Sequence, residues 1–185
     1  MSENRFSEYI KPTAVLVVIC LVVTLVLAAT YAATKPVIDE NNALRADAAR
    51  AEVLPEGAGG FSERELGDSP VEGVLEAYQA DNGRGMVFTV EERGFGGSLT
   101  VMVGIDAEGG VTGVEVTGHS ETPGLGTKAM TAEYLFQYIG QKAVSLTGGG
   151  DAARIDTVTG ATISSEAVFR AVELALRQYA EMGGI

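Results

Sequence analysis

The chain has no Trp, one Cys and one His in 185 residues, and only 13 Lys plus Arg against 25 Asp plus Glu. A single Cys, Cys20, excludes internal disulfides, Cys-rich zinc sites and thiolate-held iron–sulfur clusters. A single His, His119, leaves little room for a multi-His metal centre. With a formal net charge of -12 there is no cationic face to displace counterions, so nucleic acid is excluded as a partner. What the chain does have is 24 Gly and a hydrophobic content of 46%, distributed very unevenly.

Thr13 to Ala33 reads TAVLVVICLVVTLVLAATYAA, 21 residues without a charge. At about 1.5 Å per residue such a helix is roughly 30 Å long, enough to cross a bilayer core. Ala28, Ala29, Ala32 and Ala33 would suit a signal peptidase, but signal h-regions run only ~7–15 residues, which favours a membrane-spanning helix. Cys20, in mid-span behind bulky Ile19, reads as a small apolar residue. Residues 1–34 hold two bases, Arg5 and Lys11, and two acids, Glu3 and Glu8, so the whole negative charge lies beyond them. Lys35, Arg45 and Arg50 follow the span, and basic residues on both flanks leave its orientation open.

Pro36 either starts a new helix or kinks the old one, and Ile38 to Leu54 is Ala-rich, charged and helical in character. Pro55 to Pro70 is rich in Gly, Pro and Ser and reads as a linker. Val74 to Ala80, Gly85 to Glu92, Ser98 to Asp106 and Val111 to Gly118 are short β-rich runs, expected to form an antiparallel meander, with Ala107 to Gly110 as a hairpin turn. Thr131 is placed to cap a short helix ending at Gly140, with Tyr134, Leu135, Tyr138 and Ile139 on one side. Thr147 to Asp151, TGGGD, breaks the chain again. A last helix from about Ser164 to Met182 carries Val168, Ala171, Val172, Ala175, Leu176 and Tyr179 as an apolar stripe. The expected fold class is α+β behind one transmembrane helix: a tail at 1–12, the span at 13–34, a juxtamembrane helix and linker at 35–70, and a domain at 71–185.

Two segments carry possible chemistry. Gly124 to Ala129, GLGTKA, fits the GxGxxA form of the dinucleotide fingerprint. That motif needs a tight strand-to-helix turn inside a βαβ unit, and here His119 to Pro123 intervene and no such unit is present, so a Rossmann site is not expected. The second is Asp156 to Thr162, DTVTGAT, running into Ile163, Ser164, Ser165 and Glu166. Hydroxyls and a Gly before a helix N-terminus suit an anion such as phosphate, because free N–H groups and the helix dipole converge there. The same residues suit plain helix capping by Ser164 or Ser165, and both readings stay open.

DTVTGAT resembles the flavinylation motif of the FMN-binding domain found in the G subunit of Rnf electron-transport complexes and, in a sister family, the C subunit of sodium-pumping NADH:quinone reductases. Glu121 to Gly126, ETPGLG, resembles that family's second loop, which lies against the flavin. The anchor, the helix ending in Val53 to Pro55, both loops and the last helix occur in the family's order, and the compact length resembles the Rnf subunit more. Thr159 stands where the motif commonly has Ser, which keeps the hydroxyl.

The resemblance implies covalent FMN, joined through its phosphate to the hydroxyl of Thr162. Asp156, Thr159, Gly160 and Ala161 would serve recognition and geometry, and Glu121, Thr122, Leu125 and Gly126 would contact the flavin in the domain at 71–185. A threonine hydroxyl is a poor nucleophile without a positioned base, and no self-modifying constellation is visible around Thr162. The resemblance supplies a separate flavin transferase that uses FAD and magnesium. It also implies partner subunits in a membrane complex coupling electron flow between ferredoxin and NAD to sodium or proton translocation, with the flavin domain extracytoplasmic. With no proton-transfer dyad or substrate pocket in view, the chain reads as an electron carrier rather than a stand-alone catalyst. Lys128 is the nearest cation to the loop and is equally well a solvated lysine. The alternatives are a flavin domain serving an extracytoplasmic reductase and an anchored acidic scaffold without cofactor.

Overall fold

The computed structural model describes residues 3–57, 59–67 and 70–184, with side chains from residue 11 onward. The chain divides into two compact units, Met1–Arg45 and Ala46–Ile185. Helix α1, Glu3–Val53, supplies the first unit and the opening residues of the second. Its apolar stretch reaches a mean hydropathy of 2.8 over an 18-residue window with none of it buried, and among the described residues it is the one helix long and apolar enough to cross a membrane. Thr30 and Thr34 donate their hydroxyls to the carbonyls of Val26 and Thr30, both at 2.9 Å, so neither leaves a polar atom unpaired on the apolar surface. Pro36 lies inside the helix rather than at a break, so the span and the juxtamembrane segment are one element.

In the second unit, β1 (Phe61–Arg64), β2 (Val74–Ala80), β3 (Gly85–Arg93), β4 (Ser98–Asp106) and β5 (Val111–His119) form one antiparallel sheet in sequential order. Alternation decides which side chains go to which face. Met86, Phe88 and Val90 of β3 and Val101, Val103 and Ile105 of β4 point to one face. There they meet the stripe of α3 (Thr162–Glu181), in which Val168, Ala171, Val172, Ala175 and Tyr179 are buried and Leu176 packs partly buried. Val87 and Met102 point to the other face, which is covered by Ala49, Val53 and Leu54 at the end of α1.

That end of α1 sits against two glycines. Gly104 and Gly113 are paired across β4 and β5, and a Cβ on either would overlap backbone atoms of Val53. The notch brings Thr112 Oγ1 to 2.6 Å from the Val53 carbonyl, to which it donates. The β4–β5 turn is closed by Asp106 Oδ1, which accepts from the N–H groups of Glu108 (3.0 Å) and Gly110 (2.7 Å).

The segment read as a linker is partly structured. Phe61–Arg64 is an edge strand on β2, and the crossing that follows is tied to α3 by buried Gln178, whose Oε1 accepts from Val71 N at 2.7 Å and whose Nε2 donates to Leu66 O at 3.0 Å. Gly- and Ser-rich composition hides such a strand because its order comes from its partner. The short helix after Thr131 is also less regular than its periodicity suggests. It is α-helical over α2 (Ala132–Leu135), 3₁₀ over Phe136–Tyr138, and ends at Gly140 with φ +77°. Only Leu135 and Tyr138 of its apolar side are buried. The TGGGD break lies between the two-residue parallel strands β6 (Val144–Ser145) and β7 (Ala153–Arg154).

Candidate functional site

α3 begins two residues earlier than expected, at Thr162. The preceding turn is closed by Ala161 N donating to Val158 O at 2.9 Å, with Gly160 at φ +83° in the position that needs a left-handed residue. Ser165 secures it from inside the helix: its Oγ donates to Ala161 O at 2.9 Å and accepts from Val158 N at 3.0 Å. Ser164 Oγ donates to Glu121 Oε2 at 2.9 Å. Neither serine caps the helix, and the N-cap residue, Ala161, makes no side-chain cap bond. The capping alternative is therefore replaced by a different use of both hydroxyls, and the first turn of α3 opens into a cavity of about 250 Å³.

Glu121 organises that cavity. It is 4% exposed, and besides Ser164 it accepts from Gly96 N through Oε1 at 3.0 Å. A Cβ at Gly94 would overlap Oε1, and one at Gly126 would overlap Oε2. One carboxylate thus joins the tip of the β3–β4 hairpin, the start of the 3₁₀ turn Gly126–Met130 and the first turn of α3, and the two flanking glycines exist to admit it. Both oxygens accept hydrogen bonds, one from a backbone N–H and one from a hydroxyl.

Of the residues singled out in the sequence, the structure brings Glu121, Thr122, Leu125, Gly126, Gly160, Ala161 and Thr162 together around the cavity. Asp156 and Thr159 do not line it. Asp156 is 84% exposed and pairs with Arg154 at 3.4 Å, while Gln137 accepts from its N–H at 2.9 Å and so holds its backbone. Thr159 is exposed on the turn. Lys128 and His119 are exposed and lie outside the lining. Ile163 and Ser164, read in the sequence only as part of the helix start, also line it, and so does Phe95, which the sequence had not singled out. The signal for Phe95 was an aromatic residue at the tip of a glycine hairpin, Gly94 to Gly97, where nothing in a core requires it.

Phe95, Leu125 and Ile163 are 68%, 45% and 49% exposed, and all three converge on the cavity beside the first turn of α3. Apolar walls next to uncapped helix N–H groups suit a ligand with a flat apolar part and a phosphate. At about 250 Å³ the cavity holds part of such a ligand and leaves the rest at its open mouth. The residues present thus fit a flavin mononucleotide.

Residues 94–177, from the glycine hairpin to the last turns of α3, match the family model described as FMN-binding domain, so the second unit carries a domain of that class. Over nearly the whole chain the likeness is more particular. It is 31% identical to the G subunit of the proton-translocating ferredoxin:NAD(+) oxidoreductase complex of Clostridium ljungdahlii, covering 91% of this chain and 90% of that one. It is 33% identical to the G subunit of the Na(+)-translocating ferredoxin:NAD(+) oxidoreductase complex of Acetobacterium woodii, over 89% and 88% of the two chains. The G subunit of an ion-translocating oxidoreductase complex of Methanosarcina acetivorans is 31% identical over 95% and 96%. The chain belongs to this family of Rnf-type G subunits. Among solved structures, NqrC of Shewanella oneidensis is 24% identical, with a TM-score of 0.46 over 55% of this chain and 54% of that one.

Proposed function

We propose that this chain is an anchored electron carrier holding FMN through a phosphoester on Thr162, and that it serves as the G subunit of an ion-translocating ferredoxin:NAD oxidoreductase complex. One observation carries the reading: Thr162 is the first residue of α3, exposed, uncapped and on the wall of a cavity to which Phe95, Leu125 and Ile163 contribute exposed apolar side chains. The helix N–H groups and dipole stabilise the phosphate there, and Phe95, Leu125 and Ile163 exclude water from the ring system. Bound FMN supplies one- and two-electron transfer. Glu121 keeps the hairpin tip and α3 at fixed separation around it.

Attachment needs an outside agent, since among the described residues no side chain hydrogen-bonds to the Thr162 hydroxyl. On a flavin transferase, with magnesium, the hydroxyl oxygen displaces AMP from FAD: the Oγ1–phosphorus bond forms, the anhydride P–O bond breaks, and the hydroxyl proton leaves to a base of that enzyme. The exposure of Asp156 and Thr159 suits this, because residues read by a second protein belong outside the cavity. The apolar span anchors the chain in the cell membrane, and the flavin domain lies on the extracytoplasmic side, where it exchanges electrons with neighbouring subunits. In membranes of a host that has the transferase, the chain is expected to give a fluorescent band on a denaturing gel, lost in Thr162→Ala and retained in Thr162→Ser. A band that persists in Thr162→Ala overturns the assignment.

A further inference from the structure

A second cavity, of about 290 Å³, lies on the outer side of β5 between the last turn of α1 and the α2 segment. Its polar groups are two carboxylates, Glu52 and Glu115, and its apolar walls include Met130, Leu135, Phe136 and Ile139. Phe136 is 74% and Ile139 37% exposed. Glu115 Oε2 is enclosed by protein atoms yet meets no hydrogen-bond donor. Burial, and after it the charge of Glu52, raises the Glu115 pKa above the ordinary carboxylate value. Among the described residues, no Lys, Arg or His lines the cavity. A shielded carboxylate oxygen without a donor costs free energy that a cation from outside would recover.

We propose that this face is a docking surface for a different protein chain, which presents a lysine or arginine head to Glu52 and Glu115 and lays apolar side chains over Phe136 and Ile139. A long basic side chain matches both features, since its aliphatic stem covers apolar surface while its head is charged. A hard divalent cation takes about six or more oxygen ligands and fits poorly among these hydrocarbon walls. Anionic headgroups and a second copy of this chain, with its net charge of -12, are repelled. Met130 ends the 3₁₀ turn whose first residue, Gly126, lines the flavin cavity, so the partner would abut the same turn from the opposite end. The inference stands on this cavity alone and is independent of what Thr162 carries.

The test places a photo-crosslinking phenylalanine analogue at Phe136 of the full chain and irradiates native-host membranes. The expected product is a cross-link to a different protein, mapped by mass spectrometry to a segment containing Lys or Arg. Charge reversal at both acids, Glu52→Lys with Glu115→Lys, should cut the yield at least about tenfold, while Glu108→Lys on the β4–β5 turn leaves it within about twofold. Thermal unfolding reports whether each variant is folded. Should the double reversal fail to fold, Glu52→Gln with Glu115→Gln is expected to lower the yield about threefold. Cross-links confined to lipid or to a second copy, or a yield indifferent to these acids, would overturn the proposal.

Discussion

The role given to Glu121 is tested most sharply by adding one methyl group at Gly126. Gly126 has no positive φ, so alanine suits its backbone, and the obstacle is steric: the new Cβ would overlap Glu121 Oε2 and lie 3.0 Å from Glu121 Cβ and Cδ. The carboxylate has nowhere to go, being 4% exposed and held by Gly96 N and Ser164 Oγ. A hydrogen bond to a charged group contributes about 1.5–3 kcal/mol. Disturbing both, with some recovery by relaxation, should cost about 2–4 kcal/mol. Gly124→Ala is the contrast. There a Cβ meets nothing within 4 Å, and φ +76° leaves only backbone strain of about 1–2 kcal/mol. The measurement is urea unfolding of the full chain in detergent, followed by tyrosine emission, because the chain has no Trp and six Tyr. The decisive form is a double-mutant cycle: a Glu121→Ala background removes Oε2 and Cδ and keeps only the Cβ at 3.0 Å, so Gly126→Ala should cost at least about 1 kcal/mol less there than in the parent chain. Equal costs in both backgrounds would refute the clamp.

Three further outcomes follow from the same geometry. Glu121→Gln should keep the fold, because the amide oxygen can accept from Gly96 N while the amide nitrogen donates to a rotated Ser164 hydroxyl; under the proposed FMN assignment it removes a carboxylate from the cavity wall, so the midpoint potential measured by redox titration should rise. Gly113→Ala drives a Cβ into the Val53 backbone and should destabilise the second unit by about 1–3 kcal/mol, read as a lowered denaturation midpoint. Glu115 has a raised pKa in the folded chain, so the folded state holds that proton more tightly than the unfolded one. Between the ordinary carboxylate pKa and the raised value, stability therefore falls as pH rises. Glu115→Gln should flatten that slope in a pH series of unfolding curves; an unchanged slope would assign it to other groups.

Much of the fold was legible because it rests on local periodicity. The runs at Val74–Ala80 and Ser98–Asp106 are strands over those same residues, since alternating apolar residues between turn signals have one good way to bury themselves. The stripe of α3 was equally plain. Phe61–Arg64 was not, since three of its four residues are exposed and its order depends on pairing with β2. At the site, Thr162 and the ETPGLG loop were named from resemblance, whereas Phe95, marked locally only by its flanking glycines, could be placed at the cavity only when the hairpin tip was seen beside α3. Ser164 and Ser165 had a local explanation, helix capping, that lost to tertiary partners: Glu121 for one and the 158–161 turn for the other.

By itself, the sequence determined the apolar span, the acidic character of everything after it, the meander with its closing helix, and the hydroxyl at the start of that helix. Each depends on neighbours within a few residues, or on composition. Only the tertiary structure decided that Glu121, 43 positions from Ser164, binds three elements into one cavity wall, that Gly104 and Gly113 form the notch for the end of α1, and that Glu115 is left without a donor. Those facts depend on distances between residues far apart along the chain, and no local pattern encodes a distance that packing alone creates.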